Sequence, residues 1–117
     1  MSITILNQSA TIGGLHDQGT PAHSRSHPPS ALSGIHVELE GAGNSRTGIW
    51  ECSPGRFDRQ LAQAEVMHIL KGACSFTPTG GEPQEIRAGD SLFFPANTVG
   101  VWDVRETLRK LYVVLAE

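Results

Sequence analysis

Glu65-Val66-Met67-His68-Ile69-Leu70-Lys71-Gly72 and, after sixteen intervening residues, Gly89-Asp90-Ser91-Leu92-Phe93-Phe94-Pro95 are the two stretches whose reading decides the fold. Each is a short β-type run bounded by residues that turn or end a strand. Gly72 and Gly89 suit positions where the chain reverses at positive φ, Asp90 can accept hydrogen bonds from the amides of its own turn, and Pro95 ends a strand cleanly. Side chains of a strand alternate between two faces, so one residue sets the phase of its run. If Glu65 points inward, Met67 and Ile69 do too, and His68 points out.

Working outward from these stretches, the chain from Ile35 onward is a series of short β-type runs. They cover Ile35–Glu40, Thr47–Cys52, Ala64–Lys71, Ala73–Thr77, Gln84–Arg87, Ser91–Phe94, Val99–Val104 and Leu108–Leu115. Gly41-Ala42-Gly43-Asn44, Ser53-Pro54-Gly55, Gly80-Gly81, Ala88-Gly89-Asp90 and Pro95-Ala96-Asn97 separate them as turns. No dozen residues show capped helical periodicity, and Phe57–Met67 carries only a brief suggestion of it. Many short strands with frequent turns predict an all-β sandwich or barrel, and the short connections favour antiparallel pairing. Residues 1–34 read as an N-terminal arm: Ser9 to Gly34 is rich in Ser, Gly, Pro and His, and Pro21, Pro28 and Pro29 argue against a central strand or long helix. His16, His23 and His27 lie in this arm at spacings without helical periodicity, and read as solvated or packing histidines rather than metal ligands.

The 117 residues predict one domain with a real core, since 38% are apolar and 18% charged. A net charge of −3 leaves no basic excess for phosphates, which argues against nucleic-acid and anionic-membrane partners. No apolar run approaches the length of a membrane helix, and the N-terminus lacks a basic region followed by a signal-type apolar stretch. Two cysteines without metal-type spacing, Cys52 and Cys74, favour a reducing, cytoplasmic setting.

Glu65 and Gly72 have the E-x6-G spacing that ends the first cupin motif, and Gly89 and Pro95 have the G-x5-P spacing that opens the second. In this order and at this separation they resemble the cupins. Gly48-Ile49-Trp50-Glu51-Cys52-Ser53-Pro54-Gly55, the run Glu65 to Gly72, Gly100-Val101-Trp102-Asp103-Val104 and Arg109-Lys110-Leu111-Tyr112 are similar to small cupins resembling the cupin domain of ureidoglycine aminohydrolase. The resemblance implies a double-stranded β-helix, a jelly-roll barrel over residues 35–117, and a homodimer.

Many cupins hold a divalent ion with a His-x-His pair, the motif-one Glu and a second-motif His. Counting back from Glu65 places the pair at Asp58 and Gln60 or at Arg59 and Leu61, and counting forward from Pro95 places the last ligand at Gly100. None is histidine. Asp58, Gln60 and Glu65 could form an all-oxygen set of the kind that suits magnesium, manganese or calcium. The preferred reading keeps Glu65 as an inward carboxylate with no metal or other cofactor.

The resemblance makes Lys110 and Tyr112, on one face of the last strand, candidate partners of Glu65; an ammonium there would keep both charged. Glu65, Lys110 and Tyr112 are thus the candidate catalytic residues. Gly100 inward puts Trp102 and Val104 inward, so a small residue is expected to open space beside an aromatic wall. Trp50, Met67, Gly100 and Trp102 are the candidate ligand-binding residues. Cys52 as a nucleophile lacks an adjacent histidine. The leading expectation is a cupin that binds a small organic molecule, with enzymes of nitrogen or ureide metabolism as the family analogy. Relatives that release ammonia from ureidoglycine are bicupins with histidine-bound manganese, which this single barrel does not match. The alternatives are a non-catalytic sensor or accessory module, and a mainly structural dimer whose barrel is plugged by side chains.

Overall fold

Alternating inward residues build two facing sheets from strands that are mostly half-buried. The computed structural model describes residues 3–116, none of them in a helix, so no helix is long and apolar enough to cross a membrane. The strands are β1 (His16–Gly19), β2 (Leu32–Glu38), β3 (Arg46–Cys52), β4 (Gly55–Leu61), β5 (Ala64–Pro78), β6 (Gln84–Arg87), β7 (Ser91–Phe94) and β8 (Thr98–Leu115). All pairings are antiparallel, in the order β1-β2-β3-β8-β5-β6, with β4 beside β8 and β7 beside β5. The all-β jelly roll expected from the sequence is what forms.

β5 and β8 run through both sheets. The first half of β5 (Ala64 to Ile69) pairs with β7 and with the end of β8, which in turn pairs with β3. The second half (Cys74 to Pro78) pairs with the start of β8, which pairs with β4. Between the halves the ladder slips at Ile69, Lys71 and Ala73, and the strands bend together. Two predicted breaks are therefore corners: Ala64–Lys71 and Ala73–Thr77 are one strand, as are Val99–Val104 and Leu108–Leu115. Gly72 sits at this corner at φ +97°, where an added Cβ would run into the Thr107 carbonyl oxygen.

Inside, the phase follows Glu65. Met67 and Ile69 are fully buried, while His68 is exposed and pairs through Nδ1 with Ser91 Oγ at 2.8 Å. Phe76, Phe94 and Trp102 fill the lower interior, with Phe76 edge-on to the other two rings at 5.0 Å. The second turn closes as read: Arg87 N donates to Asp90 Oδ2 at 2.9 Å, and Gly89 adopts φ +97°.

Two parts differ from the sequence reading. Gly55–Leu61, read as a loop, is a strand with Phe57 and Leu61 inward. The arm is not separate from the barrel, and the boundary drawn between residues 34 and 35 falls inside β2. Its first part is latched to the outer sheet face by buried Arg109, which donates to the carbonyls of Ser9 (3.1 Å) and Ile12 (2.9 Å) while pairing with Glu51. Next, β1 extends the sheet beside β2. His23 to Arg25 then lie along β4: Asp58 N donates to His23 O (3.0 Å), Arg25 N to Arg56 O (2.6 Å), and the side chains of Arg25 and Asp58 pair at 2.9 Å. This covers the edge that β4 would otherwise present.

Gly72→Ala is expected to destabilise the protein by at least about 3 kcal/mol, because backbone strain and a collision with fixed backbone add. Gly80→Ala, where φ is also positive but nothing lies within reach, is expected to cost about 1 kcal/mol. Urea unfolding of both variants checks the difference.

Candidate functional site

The register of the larger sheet stacks its inward residues in layers. Arg46, Val114 and Glu65 lie side by side across β3, β8 and β5; Tyr112 and Met67 form the next layer, and Trp50, Lys110 and Ile69 the one below. Arg59 stands on the inward-facing side of β4, across from Gly100, with its side chain exposed at the cavity rim. Together they frame a cavity of about 370 Å³ whose lining includes Trp50, Glu65, Lys110, Tyr112, Arg46 and Arg59. The arm supplies another wall through Gln18, Thr20, Pro21 and Ala22. A volume of this order suits a small organic molecule.

At the base of the cavity Lys110 Nζ donates to Glu65 Oε2 at 2.9 Å, and both side chains are less than a tenth exposed. The ammonium also meets Met67 Sδ at 3.4 Å and lies 4.7 Å from the centre of the Trp50 ring, a cation–π contact. Burial lowers the pKa of Lys110, against the opposing pull of Glu65. Burial raises that of Tyr112, whose phenol can donate a hydrogen bond into the cavity. Cys52 and Cys74 are buried free thiols outside the cavity lining, pushed up by desolvation to about 11 and about 12.

Of the residues read from the sequence, the structure brings Glu65, Lys110, Tyr112 and Trp50 together around one space. Met67 lies below it, touching the ammonium. Trp102 is 2% exposed and packs behind Trp50, with ring centres 6.4 Å apart. Gly100 does not open the cavity. The volume over its Cα holds the Phe76 ring, 2.6 Å from where a Cβ would sit, so this glycine makes room for core packing. Met67 and Trp102 fill the lower barrel but leave the upper part open.

The sequence reading missed Arg46 and Arg59. Arg59 stood in one of the two registers considered for the absent histidine pair, and the structure selects that register, with Arg59 and Leu61 inward. Asp58 faces the other way and is held by Arg25, which lowers its pKa first through the hydrogen bond. Gln60 is exposed. Asp58 therefore does not converge with Glu65, and Glu65 Oε2 already accepts from the Lys110 ammonium. Among the described residues no three His, Cys, Asp or Glu side chains come together as ligands. This donor set does not fit a divalent ion.

An antiparallel jelly roll with an inward acid over a ligand-sized cavity defines a cupin barrel. Residues 39–112 match the EutQ-like cupin domain, more than half of the chain, and the chain belongs to that family. Solved structures similar to it include a DUF861-family protein of unknown function from Pseudomonas syringae (TM-score 0.78, 21% identity, 88% of this chain). This chain spans only 45% of that protein's length. The EutQ protein of Clostridium difficile is similar with TM-score 0.66 and 19% identity, over 76% of this chain and 71% of its own. A DUF861-family protein from Thermotoga maritima matches with TM-score 0.54 and 26% identity, over 68% of this chain and 96% of its own. No curated protein matches.

Removing one member of a buried ion pair strands the other. Glu65→Leu or Lys110→Met alone is expected to destabilise the protein by about 3–5 kcal/mol, and the double variant to recover most of that loss. Urea denaturation of the four-protein cycle measures the coupling directly.

Proposed function

We propose that this cupin binds a small organic molecule in the upper barrel and does so without a resident metal. The observation that carries this reading is the buried Glu65–Lys110 pair at the base of a cavity of about 370 Å³. Structural pairs are usually packed over; this one faces a space with an aromatic wall at Trp50 and a phenol at Tyr112. A buried acid and ammonium, one of them with a shifted pKa, lining a cleft is an arrangement expected of a binding or proton-transfer site. In the catalytic form of the reading Glu65 accepts a proton from the bound molecule, Lys110 holds the carboxylate in place, and Tyr112 donates a hydrogen bond. The resemblance to the ureidoglycine aminohydrolase subgroup makes nitrogen or ureide metabolism the analogous setting for such chemistry.

A non-catalytic binding module is the second reading. It is favoured by the placing of both thiols outside the cavity lining, where burial disfavours their thiolates, and by the engagement of the Lys110 amine with Glu65. The free cysteines also support a reducing, cytoplasmic location.

The test exposes the protein to a panel of small polar metabolites, following the Trp50 indole resonance and the melting temperature. At least one compound is expected to move both. Consumption of that compound, followed by proton NMR, distinguishes an enzyme from a binder. Elemental analysis of protein purified without chelator is expected to find no stoichiometric metal; stoichiometric metal that disappears in Glu65→Gln would overturn the metal-free reading.

We also propose a homodimer formed through the outer face of the larger sheet. Val66, Phe93 and Leu115 share that face and are 41%, 61% and 45% exposed, an apolar surface of the kind partners cover. Phe93→Glu is expected to convert dimer to monomer in sedimentation equilibrium. A wild-type chain that sediments as a monomer at micromolar concentration overturns the assignment.

A further inference from the structure

Charge in the cavity is unevenly matched. Its lining carries three cations, Arg46, Arg59 and Lys110, and one acid, Glu65. Lys110 and Glu65 satisfy each other at 2.9 Å. Arg25, Arg105 and Arg109 elsewhere in the fold each meet a carboxylate, at 2.9, 2.6 and 2.7 Å. Among the described residues neither Arg46 nor Arg59 has such a partner: Arg46 Nη1 donates to the neutral amide oxygen of Gln63 at 3.2 Å, and Arg59 is paired with no side chain. They project from opposite walls, β3 and β4, and line the same space.

Arg46, half-buried, and Arg59, at the exposed rim, line one cavity whose single carboxylate is already paired with Lys110, so their like charges repel each other and the ammonium below them. Arg59 is one of the groups that disfavour the charged form of Lys110. An anion between them relieves this repulsion and accepts hydrogen bonds from two planar forks, the geometry that best matches carboxylate oxygens. The phenol of Tyr112 adds a neutral donor, its hydrogen-bond contact with a side chain among the described residues being a long one, 3.5 Å to His36 Nδ1. Trp50 provides an apolar surface for the body of the molecule. Glu65 disfavours a highly charged ligand such as a phosphate dianion, because its own carboxylate lies at the same wall.

We propose, building on the ligand-binding reading above, that the molecule taken up by this barrel is a small organic carboxylate clamped between Arg46 and Arg59. The arginines recognise the charged end, and Glu65 and Lys110 form the electrically balanced base beneath it. This gives the site a selectivity that the Glu65–Lys110 pair alone lacks.

The probes are acetate, glycolate, succinate and benzoate, each beside its neutral amide, together with inorganic phosphate and a set of small amines. Binding is read by titration of the Trp50 indole resonance, assigned with Trp50→Phe. At least one carboxylate is expected to bind at least about tenfold more tightly than its amide, with affinity falling as salt is raised. Arg46→Gln and Arg59→Gln, both near the cavity mouth, are each expected to weaken that carboxylate about tenfold while leaving the melting temperature within a few degrees. Amides or amines that bind as tightly as the carboxylates overturn the carboxylate assignment and leave the ligand-binding reading standing. Phosphate binding without carboxylate binding overturns it in favour of a phosphate site. If no probe of any charge, and nothing in the wider metabolite panel, perturbs Trp50, the ligand-binding reading falls and the proposal with it.

Discussion

Everything in this protein hangs on the shared bend of β5 and β8. These two strands belong to both sheets, so their pairing holds the sheets face to face and sets which residues look inward on each. The bend needs backbone that comes too close for a side chain, which is the place of Gly72 against Thr107. From that corner one half of β5 carries Glu65 and Met67 to the cavity, and one half of β8 brings Lys110 and Tyr112 beside them. The ion pair thus unites side chains 45 positions apart in sequence through register alone.

The Glu65–Lys110 pair is stable only as a unit. Burial disfavours the charged form of Lys110, and the carboxylate beside it opposes that effect. Placing the pair under Trp50 adds a third party, since the indole face also attracts the ammonium. Where many cupins gather imidazoles around a metal, this chain has an arginine, a leucine and a glycine at the corresponding positions, with a lysine on the acid. The positive charge at the centre of the barrel is covalently attached.

How much of this could be read in the sequence followed from how strictly strands alternate. Once Glu65 was assigned inward, the directions of Met67, Ile69 and His68 followed, as did those of Trp102 and Val104 from Gly100. The partnership of Lys110 with Glu65 came from the family resemblance rather than from alternation. β4 escaped because Phe57 and Leu61 are four apart, a helical spacing, with Arg56, Asp58, Arg59 and Gln60 around them. Its edge position tolerates that polarity. The corners were read as breaks because glycine and charged residues mark turns and bends alike. Arg46 and Arg59 were missed for a related reason: an arginine in a strand pattern reads as solvent-facing unless a cavity is known to lie beneath it. The Gly100 expectation failed at a further step, since the phase was correct but the ring that fills the gap comes from a different strand.

The N-terminal arm gives the barrel an independent component. Gln18 to Ala22 wall the cavity, yet they belong to a segment fixed by contacts outside it: the Arg109 latch on one side and the Arg25–Asp58 clasp on the other. Substitutions between these two anchor points can reshape the entrance while leaving the interior untouched. In a protein this small, where almost every inward residue also supports the core, such a tethered rim lets the choice of guest diverge among descendants without endangering the fold that receives it.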